Sequence, residues 1–67
     1  MDSEFLKQKA LQQIRHWGLW GEQFEFVERH GFESWVQLAH KSKALKDADV
    51  NEMRAAWNAA IREIKGL

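Results

Sequence analysis

The chain has no cysteine and no proline, only four glycines, and no excess of charge of either sign. Each of these absences removes a class of protein. Without cysteine there is no disulfide to brace a short fold, no thiol nucleophile and no cysteine zinc site. Without proline, and with glycine this sparse, helices can run uninterrupted and a turn-rich β-fold is not indicated. Ten basic residues balance ten acidic ones, whereas a general nucleic-acid binder carries a clear positive excess. No stretch approaches the ~18 apolar residues of a membrane span. Met1-Asp2-Ser3-Glu4 is polar and acidic where a secretory leader has basic residues followed by an apolar run. A cytoplasmic setting is therefore expected. The chain opens on Met with no tag, which reads as a complete small gene product.

What remains is rich in apolar side chains. Hydrophobic residues make up 45% of the 67, with four Trp and four Phe. A disordered chain lacks this much material for a core. The length implies a single helical domain over 1–67, near the lower limit for a self-supporting core. Below about 70–80 residues such a core rarely yields more than ~3–5 kcal/mol, so dense packing or self-association is expected to add to it.

Periodicity predicts a compact all-α bundle of four helices, at about 3–17, 21–30, 34–42 and 49–65, the middle two short. In the first, Asp2 or Ser3 can cap the start, Leu6, Ala10, Ile14 and Trp17 recur at helical spacing, and Gly18 follows as a stop. In the second, Trp20, Phe24 and Val27 form the stripe. Glu22 and Glu25 lie at its start and Arg29 and His30 at its end, both matched to the helix dipole. Gly31 reads as its stop. Ser34 and Gln37 then read as a capping box opening a third helix, with Trp35 and Leu38 facing inward. In the fourth, Asp49 and Glu52 form another capping box. Val50, Met53, Trp57, Ala60 and Ile64 follow a 3-4-3-4 spacing widened by Ile61, and Gly66 ends the helix.

Catalytic patterns are missing. His16, His30 and His40 are too far apart in sequence to share a helix face at i,i+4, and neither H-E-x-x-H nor Glu-x-x-His occurs. Ser3 and Ser34 read as caps, no G-x-S-x-G is present, and Gly18 and Gly21 read as helix punctuation, not as a phosphate loop. The chain is read as a non-enzyme, with no cofactor and no metal.

Two binding readings remain. The first is a small non-catalytic protein-interaction module, a regulator, adaptor or inhibitor of bacterial or phage type, acting by binding another protein or as a homodimer. On an ideal helix Phe26 lies about 160° from Phe24 and about 100° from Val27, so a helix facing Phe24 and Val27 inward turns Phe26 out. Leu11 is off-stripe in the same way on the first helix. Leu11, Phe26 and the acidic Glu22, Glu25 and Glu28 form the expected contact surface, because aromatic residues are enriched at interfaces. An acidic run at 22–33 and a lysine run at 41–46 on one neutral chain suit a two-fold dimer.

The alternative reading is a DNA-binding regulator built on a helix-turn-helix, with Gly31 in the turn and residues 34–46 as the recognition segment. Lys41, Lys43 and Lys46 would then contact phosphates. Against it, the helix before the turn is acidic and the recognition segment has no arginine. A third possibility is a helical piece of a larger assembly.

Overall fold

Asp2, and not Ser3, caps the first helix, and Asp49 caps the last as its capping box indicates. Asp2 Oδ1 accepts from the backbone N–H of Glu4 at 3.0 Å, and Asp49 Oδ2 from that of Glu52 at 3.0 Å. These side chains satisfy donors that a helix start leaves without partners. The computed structural model describes residues 2–66. Among these it has three helices: α1 (Ser3–Trp17), α2 (Gly21–His40) and α3 (Val50–Lys65).

The expectation of four helices is therefore wrong, and the error lies at one residue. Gly31 does not stop a helix; it sits inside α2, which runs unbroken for 20 residues. A methyl group at Gly31 would lie 2.9 Å from Trp57 Cη2 and 3.2 Å from Trp17 Cζ3. Glycine is there so that two tryptophan rings can approach the helix backbone. A mid-helix glycine costs about 1 kcal/mol against alanine, which the aromatic packing offsets. Ser34 is accordingly an exposed mid-helix residue and opens nothing.

The positive-φ glycines are Gly18 (φ 146°) and Gly21 (φ 62°), one at each end of the short α1–α2 connector. Such angles suit glycine because it has no Cβ. The connector from α2 to α3 is longer and tied down by side chains. Ser42 Oγ donates to the Ala39 carbonyl at 2.8 Å and accepts from the Leu45 N–H at 3.3 Å. His40 Nε2 lies 3.0 Å from the Ala48 carbonyl. Since a carbonyl only accepts, His40 carries a proton on Nε2. Leu45 and Ala48 of this connector are buried.

Lys7, near the start of α1, meets Glu63, near the end of α3, at 3.4 Å, so these helices run antiparallel. Leu6, Ala10, Leu11 and Ile14 from α1 bury against Met53, Ala56, Trp57, Ala60 and Ile61 from α3. The α3 seam is thus inward as its spacing implies, except that Val50 is 46% exposed. α2 closes the other side with Val27, Phe32, Trp35 and Ala39. Phe32, Trp35 and Trp57 form an aromatic cluster with ring centroids 5.7–6.3 Å apart, in the range favoured for tilted and edge-on pairs. Arg54 covers its open side, 3.8 Å from the Phe32 ring centre.

Two residues expected in the core are not there. Trp20 is 83% exposed, because it sits at the N-cap of α2 in extended backbone and the helical phase does not reach it. Leu38 is 49% exposed, with Ala39 taking the inward position in the last turn of α2.

Candidate functional site

The one-sided burial of α2 sets its outer face. With Val27, Gly31, Phe32, Trp35 and Ala39 turned inward, Phe26 is turned out and is 67% exposed. Its ring does not stand alone: the His30 imidazole, one turn on, lies 4.9 Å away at 48°. Beside this pair runs an open groove of about 490 Å³, with Val27 and Gly31 along its inner side, Ser34 at one end and Glu22 at the other, and the partly buried Trp17 facing α2. A second, smaller groove of about 240 Å³ lies under Trp20 and Phe24 and reaches the end of α3 at Ile64.

The sequence-predicted surface is brought together only in part. Glu22 and Phe26 line the same groove, and Glu25 is exposed on the first turns of α2. Glu28 faces α3 instead, where its Oε2 binds Lys65 Nζ at 2.6 Å and pins the two helices. Leu11 is not a surface residue. It is 1% exposed, because α1 packs against both α2 and α3 and so buries a second side. Its side chain forms part of the floor of the smaller groove. Trp20 is the exposed aromatic that sequence reasoning missed; Gly18 and Gly21 bracketing it are the signal that it lies outside both helices.

The helix-turn-helix arrangement loses its turn. The segment from Gln23 to His40 is one continuous helix, so no separate recognition helix opens at Ser34. Lys41, Lys43 and Lys46 are exposed, but on the connector that His40 and Ser42 hold, not on a helix.

The charge on α2 is lopsided: Glu22, Glu25, Glu28 and Glu33 against Arg29. Glu28 is neutralised by Lys65. Among the described residues Glu22 and Glu25 have no ion-pair partner. The groove therefore combines an apolar floor with an acidic rim at its N-terminal end. Among the described residues no group of three or more His, Asp or Glu is placed to hold a metal ion. Among the described residues no helix is long and apolar enough to cross a membrane.

Comparison with known proteins finds no matching family model, no similar curated protein and no similar solved structure.

Proposed function

We propose that this chain is a small non-catalytic interaction module that binds another protein through the N-terminal half of α2, with Phe26 as the anchor. The observation that carries this is the 67% exposure of Phe26 beside a groove of about 490 Å³. A phenylalanine left in water gives up roughly 1.5–3 kcal/mol of burial energy, and a 67-residue chain has little to spare. Trp20, 83% exposed, adds a second large apolar side chain at the start of the same helix. Aromatic anchors of this kind dominate binding energy at protein interfaces. A regulator, adaptor or inhibitor acting by occlusion fits such a surface.

The test is retention of a partner on immobilised wild-type chain and on Phe26→Ser. An anchor residue of about 2 kcal/mol corresponds to roughly 30-fold in affinity. The variant should therefore retain almost nothing while melting like the wild type. Equal retention would overturn the reading.

A further inference from the structure

Resting on that reading of α2 as the interaction face, we infer that the partner presents a cationic amphipathic helix, which lays an apolar side chain into the groove beside Phe26 and faces Glu22 and Glu25 with lysine or arginine. The spacing of the groove walls points to a helix. Gln23, Phe26, Val27 and His30, followed by Val27, His30, Gly31 and Ser34, are two successive sets at i, i+3, i+4 and i+7. Four residues so spaced make the hole into which a side chain of an adjacent helix fits. The Trp17 and Trp57 rings already fill the space over buried Gly31, so a partner helix running beside α2 is anchored at the first of these sets, next to Phe26. The groove is open along its length and wide enough for a large apolar side chain.

The charge points to a cationic helix. Glu22 lines the groove and Glu25 lies one residue before Phe26, and neither has an ion-pair partner among the described residues. Glu22 at the groove and Glu25 on the adjoining exposed face of α2 attract cations, repel acidic or phosphate-bearing partners, and speed encounter with an oppositely charged surface.

The same facts disfavour a second copy as the occupant. A two-fold pairing of groove on groove uses the same patch twice. It therefore brings Glu22 and Glu25 of both copies to one interface. The lysine-bearing connector of another copy offers the right charge but no anchor, since its large apolar residue, Leu45, is only 4% exposed.

The experiment uses the whole chain and two synthetic helical peptides with one shared Leu/Phe seam, flanked by lysines in one and by glutamates in the other. Amide and indole shifts of the isotopically labelled chain are followed on titration. The lysine peptide should shift residues 22–34 and the Trp17 indole, bind at least tenfold more tightly than the glutamate peptide, and weaken as salt rises. Phe26→Ser should abolish binding of both peptides, and Glu22→Lys with Glu25→Lys should reverse the preference. Equal binding of the two peptides would overturn the charge assignment and leave the interaction face standing. Shifts confined to another face, or none, would overturn both. A dimer by sedimentation that disappears in Phe26→Ser would overturn the assignment of the groove to a foreign helix while keeping Phe26 as a contact.

Discussion

Gly31 of α2 and Trp57 of α3 claim the same space: a methyl on the glycine would lie 2.9 Å from Cη2 of the indole. Gly31→Ala therefore sets a gain in helix propensity of up to about 1 kcal/mol against overpacking of typically ~1–3 kcal/mol. With the full gain realised, a net loss of up to about 2 kcal/mol is expected on chemical denaturation. In a Trp57→Leu background the closer obstruction is gone and only the Trp17 ring, 3.2 Å away, remains, so the cost of the alanine should fall. A double-mutant cycle showing coupling of less than ~0.5 kcal/mol would mean that the two residues do not compete for space.

The tryptophans divide by burial. Trp57 is 2% exposed at the centre of the aromatic cluster, and Trp57→Ala should cost about 3–5 kcal/mol, enough to unfold much of a domain this small. Trp20→Ala, at an 83% exposed position, should change stability by no more than ~0.5 kcal/mol. Thermal melts of the two variants decide it; comparable losses would place Trp20 in the core.

The connector between α2 and α3 is held by side-chain bonds that can be removed singly. His40→Ala deletes the bond to the Ala48 carbonyl and should cost about 1 kcal/mol, as Ser42→Ala should for its bond to Ala39. Lys41→Ala, Lys43→Ala and Lys46→Ala remove exposed side chains and should stay within ~0.5 kcal/mol. Faster amide exchange at Leu45 and Ala48 in His40→Ala would confirm that this bond clamps the loop, and unchanged exchange would refute it.

At the start of α1, hydrogen bonds first from Gln8 and then from Lys7 hold the Glu4 carboxyl below the usual carboxylate value. Lys7 is held above the usual lysine value, first by Glu4 and more weakly by Glu63. A lowered acid stabilises the fold above its unfolded value and loses that contribution as pH falls through the folded one. A raised base stabilises below its unfolded value and loses it as pH rises through the folded one. The melting advantage of wild type over Glu4→Gln should thus be present at neutral pH and vanish in acid, and that over Lys7→Met should fade only in strong base. Both groups are at the surface, so the effects are small.

Much of this architecture was legible in the sequence where the cause is local. The Asp2 and Asp49 caps, the stop after Trp17 and the inward seam of α3 each depend on residues within a turn or two. The exposure of Phe26 followed from its angle to Phe24 and Val27. What was not legible depends on distant residues. A glycine that ends a helix and one that admits a ring look alike in sequence, and the ring that distinguishes Gly31 is 26 positions away at Trp57. Leu11 read as a surface residue because one stripe on α1 was assumed to suffice, whereas α1 faces two helices. Glu28 read as part of an open acidic face because Lys65, which binds it, lies at the far end of the chain.

The most direct test of the central claim is photo-crosslinking in the cells that make the chain, with the crosslinker placed at position 26 on α2 or at exposed position 58 on α3. A discrete adduct with another protein from position 26, absent from position 58 and diminished by Glu22→Lys with Glu25→Lys, is the predicted result. No adduct from position 26, or the same adduct from both positions, would contradict the assignment of the α2 groove as the interaction site.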